Sequence, residues 1–217
     1  YMREKQYYSR IIEQEQQERI NYLSRNINEE LTNLKITANI AVKEEIVQDL
    51  YCRYDYVNSY ERSKLMEAIR KRCMEIDNLN SFVSSSWLYL PEKNLKIGRD
   101  GYDFVEEEAY AFVLENKENE LISIKDGKAY IIEILNKNYL LDKWSRDNIL
   151  SIFVIELNTG LIRQELQFAK MMDDDVLFMV SPDNTTVYFY TRDIVYQNLK
   201  QGEKPNKLLL DGEEYLF

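Results

Sequence analysis

The stretch "ILSIFVIEL", Ile149 to Leu157, limits the fold of this chain more than any other part of it. It is apolar almost throughout, which is the pattern of a β-strand covered on both faces and so central in its sheet. Whatever surrounds it must supply neighbouring strands and cover for two faces.

The neighbours are legible on either side. "LISIKDGKAYIIEI" reads as a hairpin, because Asp126-Gly127 accepts the positive φ angles of a tight two-residue turn. Phe82 to Leu90 alternates as a strand, Pro91 to Asn94 turn, and Leu95 to Gly98 resume as a short second strand. Asp103 with Glu106 has the spacing of a helix cap, with Val105, Ala109, Phe112 and Val113 turned inward.

Before Asn80 the apolar period is helical. Residues Tyr8 to Ala41 read as one long helix, with Ile20, Leu23, Ile27, Leu31, Leu34, Ala38 and Ala41 on one face. Its upstream part, "EQEQQER", has no apolar residue, as in either a projecting stalk or a solvated helix end. "KEEIVQDLYCRYDYV" is helix-compatible through Ile46, Val47, Leu50 and Tyr54. Asn58 with Glu61 is a capping box opening another helix, whose buried face is Leu65, Ile69, Cys73 and Ile76.

The last third repeats the grammar in smaller form. A helix from about Thr159 to Met171 leads into "VLFMV", a turn "SPDNT" and "TVYFY"; Thr191 to Leu199 reads as a short helix, and "LLLDGEEYLF" as a final Asp-Gly hairpin. A chain of 217 residues is one larger domain or two small ones, and 45% hydrophobic residues with 12% aromatics suffice to offset the entropy of ordering it.

Composition excludes more than it selects. With 38 Asp and Glu against 28 Lys and Arg, the net charge of -10 disfavours nucleic acid and anionic membrane surfaces. The chain has no histidine, which removes Ser-His-Asp and Cys-His nucleophiles and every His-containing metal site. Close carboxylate pairs are inevitable at this acidity and discriminate nothing, so an acid-base enzyme is the least supported class and no metal or cofactor is expected. Cys52 and Cys73 fit a disulfide or a pair of thiols, at a spacing that matches no metal motif. No stretch approaches the roughly 20 apolar residues of a spanning helix, and the chain opens on Tyr1 rather than Met, as an excised fragment does.

Three stretches carry a family likeness: "SSSWLYLPEKNLKIGRDG", "ILSIFVIELNTGLIRQEL" and "VLFMVSPDNTTVYFYTRD". In this order, behind a long amphipathic helix and a further helix, they resemble the double Cache family, the PAS-like extracellular sensor domains of bacterial receptors. The likeness is greatest to those of sensor histidine kinases and membrane-anchored AraC-type regulators of low-GC Gram-positive bacteria. The stretch through Trp87 is similar to the family's opening sheet strand, which commonly ends in Tyr-Leu-Pro before a turn. The one from Ile149 is similar to the strand closing the membrane-distal module, and the one from Val176 to the opening hairpin of the proximal module. Asp183-Asn184-Thr185 lacks the glycine of the family's Asp-x-x-Gly, and the later strands of the proximal module are missing or shortened.

The resemblance implies an α+β fold: a long N-terminal helix, residues 1–45, backing a PAS-like antiparallel sheet, the membrane-distal module at 46–158, followed by a smaller PAS-like module at 159–217, whole or truncated. It also implies a small-molecule signal, membrane anchoring through flanking segments on the extracytoplasmic side, no nucleic-acid contact in this fragment, and no enzymatic activity of its own, any kinase residing elsewhere. The alternative is a non-enzymatic dimerisation or protein-interaction module of a membrane receptor with no small ligand, in which the N-terminal helix forms a homodimer or docks a binding protein.

Strand alternation puts Val83, Ser85, Trp87 and Tyr89 on one face and Phe82, Ser84, Ser86, Leu88 and Leu90 on the other. The face with Trp87 is the candidate ligand surface, since a hydroxyl beside two amphipathic rings can bond to and stack on a polar guest; ordinary packing aromatics is the competing account. Tyr130 on the hairpin and the loop "DKWSRD" join it as candidates: Trp144 could stack on a carboxylate-bearing or sugar ligand and Arg146 could clamp it, a merely solvated loop being the competing account. The Arg-x-Trp-Tyr pattern of the family's amino-acid sensors is absent, which counts against an amino-acid ligand. The 17 tyrosines invite a sugar reading without establishing one.

Overall fold

The computed structural model describes residues 2–105, 121–125, 127–138 and 148–170, together with strands at 178–180, 186–190, 197–198, 207–210 and 213–216. It is an α+β fold whose contacts divide it into two units, residues 25–162 and residues 1–24 with 163–217.

The larger unit is built on a six-stranded antiparallel sheet in the order β3-β2-β1-β6-β5-β4. Its strands are β1 (Val83–Leu90), β2 (Leu95–Gly98), β3 (Gly101–Phe104), β4 (Ser123–Lys125), β5 (Lys128–Asn136) and β6 (Ile149–Leu157). The apolar strand β6 lies between β1 and β5, where its composition requires it to be, with Ile152, Phe153, Val154 and Ile155 all buried. Gly127, at φ +75, turns β4 into β5, and Asn94 takes the left-handed conformation (φ 49) after the 3-10 turn Pro91–Lys93 between β1 and β2.

Three helices precede the sheet: α1 (Met2–Val42), α2 (Glu45–Arg53) and α3 (Ser59–Leu79). In α1 the expected stripe is the buried one from Ile27 through Leu31, Leu34, Ala38 and Ala41, while Gln14, Glu15, Gln17, Glu18 and Arg19 upstream are exposed. Asn58 caps α3 by accepting the Glu61 amide at 2.9 Å, and Met66, Ile69, Cys73 and Ile76 face the sheet. The Ser86 hydroxyl donates to the Cys73 carbonyl at 3.2 Å, so the Ser86, Leu88, Leu90 side of β1 is the helix side. Cys52 and Cys73 are free thiols; burial, with the Asp77 charge next in size, pushes the Cys73 thiol up to about 12.

Two expectations fail within this unit. Asp103 caps no helix: Gly101–Phe104 pairs with β2, Asp103 opposite Lys96, and Asp103 Oδ1 accepts the adjacent Phe104 amide at 2.8 Å. Gly101, at φ +133, permits the tight Arg99-Asp100 turn that brings β3 back along β2. Val105 extends this pairing by donating to the Asn94 carbonyl at 2.7 Å, and Ala109, Phe112 and Val113 lie outside the described residues. Val83 also changes sides. A bulge sets two residues, Ser84 and Ser85, against the single Glu156, so Val83 pairs with Leu157 on the helix face rather than sharing a face with Trp87.

In the smaller unit, Arg19 of α1 donates to the Phe168 carbonyl at 3.1 Å near the end of α4 (Thr159–Phe168). Strands β7 (Phe178–Val180), β8 (Thr186–Tyr190) and β9 (Gln197–Asn198) form an antiparallel sheet, and β10 (Lys207–Leu210) pairs with β11 (Glu213–Leu216) in the expected hairpin. Gln197 and Asn198 are thus in a strand paired with Val187 and Thr186, not in the short helix expected from Thr191 to Leu199.

Candidate functional site

Strand pairing lays out the sheet face opposite the helices as three rows. Tyr89 of β1 stands beside Ile152 of β6 and Ile134 of β5; Trp87 beside Val154 and Ile132; Ser85 beside Glu156 and Tyr130. Four of the six expected residues, Ser85, Trp87, Tyr89 and Tyr130, therefore share one surface. Trp144 and Arg146 lie outside the described residues.

The aromatic rings meet at their edges. Trp87 and Tyr89 have centroids 6.4 Å apart at 86°, and Trp87 and Tyr130 6.2 Å apart at 73°, both T-shaped contacts of the kind ring quadrupoles favour. Gly98 stands opposite Trp87 on β2, where a methyl group would come within 3.3 Å of the Ser86 carbonyl and 3.4 Å of Trp87 Cβ. The bare backbone there keeps β2 against the indole.

The face is enclosed: Trp87 is 9% and Tyr89 4% exposed, with Val105, Ile132 and Ile134 packed around them. Burial pushes the Tyr89 phenol up to about 12, with the Trp87 indole offsetting a part. The two do not reach hydrogen-bonding geometry, so Trp87 Nε1–H is buried with no acceptor among the described residues. An unmade hydrogen bond at a buried donor costs about 1–3 kcal/mol, which an occupant bringing an acceptor would recover.

Charged residues border the surface as well, Lys96 with Asp103 opposite it and Glu156 with Lys128, and neither Lys96 nor Glu156 was expected from the sequence. Glu156 is neutralised by Lys128, 2.9 Å away, and that contact raises the Lys128 pKa. Lys96, opposite Tyr89 on β2, holds its ammonium 4.5 Å from the Trp87 ring centroid and 5.8 Å from that of Tyr89. The signal for Lys96 was present: the tight Pro91 to Asn94 turn sets Leu90 against Leu95, and the next pair outward is Tyr89 with Lys96.

The same sheet reaches the helix layer from its other side. Glu133, between Ile132 and Ile134 on β5, pairs with Lys35 of α1 at 2.9 Å and accepts from Asn39 Nδ2 at 2.9 Å, while Lys35 also donates to the Ile132 carbonyl at 2.9 Å.

These features define an α+β protein with an aromatic sheet face enclosed on the side away from its helices. No protein-family model matches the chain, and no curated protein matches it.

Proposed function

We propose that this chain is the extracytoplasmic ligand-sensing part of a bacterial transmembrane receptor, of the double Cache type, with residues 159–217 contributing to the second PAS-like module. The output, a histidine kinase or an AraC-type DNA-binding region, belongs to another part of the receptor, and the sensor itself binds without reacting. A small molecule is held at Ser85, Trp87, Tyr89 and Tyr130.

One observation carries the reading. On β5, Tyr130 and Ile132 lie on the aromatic face, while Glu133 between Ile132 and Ile134 is tied to α1. Strand alternation thus puts a binding surface and a helix anchor on opposite sides of one backbone. An occupant that prefers one placement of β5 shifts α1 between two packings, and differential affinity is the only driving force required.

A thermal-shift screen of the chain against sugars, carboxylates, amino acids and short peptides tests it. At a hundredfold excess over Kd a ligand of the native state adds about 2.7 kcal/mol of stability. A stabilising compound whose effect disappears in Trp87→Leu is the expected result. No stabilisation by any compound would remove the reading.

A second reading, dimerisation through α1 with no small ligand, is favoured by Ile36 and Ile40, which are 52% and 54% exposed one turn apart on that helix. Light scattering separates the two: a dimer that Ile36→Lys with Ile40→Lys dissociates, in a chain no compound stabilises, belongs to this reading alone.

A further inference from the structure

We propose that the β2–β3 hairpin is a gate at the edge of the sheet, closed while Asp77 of α3 is neutral and released when Asp77 ionises. The device operates whether or not the aromatic face takes a ligand.

Both side-chain oxygens of Asp77 are buried, and among the described residues neither has a hydrogen-bond partner. Burial of this kind costs far more for a carboxylate than for the neutral acid. The Ser86 hydroxyl acts on the group without bonding to it, being turned to the Cys73 carbonyl at 3.2 Å. The closed arrangement therefore suits the protonated form.

Nothing packed around Asp77 makes good the loss. On α3 the Cys73 thiol, one turn back and pushed up to about 12, stays neutral through the acidic and neutral range, and Glu44, whose charge reaches that thiol, is paired with Arg72 at 2.7 Å. Arg70, two turns back, is committed: it meets both oxygens of Glu67 at 2.7 Å and donates to the Arg99 carbonyl at 3.1 Å. From β1 comes only the neutral Ser86, and the β2–β3 turn brings Arg99, which favours the carboxylate, and Asp100, which opposes it. The Arg99 side chain is exposed and forms no ion pair with Asp77.

An ionised Asp77 must reach water, and the least firmly held cover over it is this hairpin. Its Arg99-Asp100 turn lies between Gly98 and Gly101, and β3 is a four-residue edge strand with Tyr102 and Phe104 exposed. The hairpin is tied to α3 by the Arg70 bond to Arg99 and by Cys73 Sγ, 3.8 Å from the Ile97 carbonyl. Arg70, Cys73 and Asp77 share one face of the helix by their spacing. Val105, directly after β3, donates its amide to the Asn94 carbonyl at 2.7 Å and packs on the cluster of Trp87, Tyr89, Ile152 and Val154. Lifting β3 withdraws Val105 from that cluster, so the proton on Asp77 sets access to the enclosed aromatic face.

Amide hydrogen exchange of the full 217-residue chain, followed by NMR from pH 3 to 7 with each rate divided by its intrinsic rate, tests this. The Val105 amide is the reporter and the Val154 amide of the central strand the reference. With the closed-state pKa of Asp77 above the ordinary 3.8, the open form gains over the interval between the two values. Val105 protection is expected to lie at least about tenfold below that of Val154 at every pH, as in sub-global opening, and to fall by up to about tenfold per pH unit above 3.8 before levelling off. In Asp77→Asn it should stay high and independent of pH. A step contributed by Asp100 or Asp103, the exposed acids of the hairpin, would survive that substitution and overturn the proposal. In the parent chain alone, Val105 protection that does not change with pH, or that equals that of Val154 throughout, also overturns it, the second because the hairpin then opens only when the whole unit unfolds.

Discussion

Trp87 of β1 and Tyr130 of β5 meet edge to face, 6.2 Å between centroids, although β6 runs between their strands. Val154 sits beneath, paired with Trp87 on one side, and Glu156 is paired with Tyr130 on the other. Two strands of the sheet are thus joined across a third by side chains alone.

That contact should be measurable as coupling. Trp87→Ala is expected to destabilise the chain by about 3–5 kcal/mol, the usual cost of emptying a buried aromatic site. Combined with Tyr130→Ala in a double-mutant cycle, a coupling of about 0.5–1.5 kcal/mol is expected from urea unfolding. Additivity of the two changes would show that the rings are neighbours without interaction.

Glu133 should matter more than a surface acid does. Its side chain is 15% exposed and meets both Lys35 and Asn39 of α1, so Glu133→Ala leaves a part-buried ammonium without its counter-charge, held only by the Ile132 carbonyl, and an amide without its carboxylate acceptor. A loss of about 2 kcal/mol is expected, in the range for charge-assisted hydrogen bonds. Lys35→Met in the same chain should recover part of it, because the stranded charge is then gone. Denaturant midpoints of the two singles and the double decide the matter, and equal losses in Glu133→Ala and the double variant would contradict it.

The elements that sequence revealed are those whose signal is local. Asn58 announced its helix because a capping side chain acts within three residues, and Gly127 its hairpin because the turn needs a positive φ. The continuous run from Ile149 announced a central strand because burial on both faces removes alternation. What stayed hidden depended on partners. Asp103 has the spacing of a cap, yet its strand is an exposed sheet edge with Tyr102 and Phe104 outward, so no alternation marked it as β. The bulge at Ser84 that moves Val83 to the helix side is set by pairing with β6, far along the chain. Nothing local in the sequence marks Lys96 or Glu133, because their roles exist only once the opposite strand and helix are in place. The aromatic part of the site was therefore legible from one strand, whereas its charged part required the register of the sheet.

The α3 cap offers a test of that local signal. Asn58→Ala removes the acceptor of the Glu61 amide and should cost about 1 kcal/mol. Asn58→Asp should cost little, since a carboxylate at a helix start serves equally. Thermal unfolding of both variants checks the pair, and equal losses would mean that the amide group of Asn58 does something besides capping.

Asp77 gives the fold a pH dependence opposite to that of a paired surface acid. Both of its side-chain oxygens are buried, and burial raises its pKa above the ordinary 3.8, with Ser86 and Arg99 opposing and Asp100 reinforcing the shift. Ser86 does not rescue it, because the one proton of that hydroxyl is given to the Cys73 carbonyl. With the folded pKa above the unfolded one, the native chain holds more protons in the interval between them, and stability from this group falls as pH rises through that interval. The contribution is complete below the unfolded value and lost once the folded pKa is passed. Asp77→Asn, which is neutral at every pH and keeps the shape, should therefore raise the melting temperature at pH 7 and have less effect near pH 3. Melting curves of both chains across that range test the sign: a variant less stable than the parent at pH 7 would show that the carboxylate is ionised and held by a partner in the folded chain.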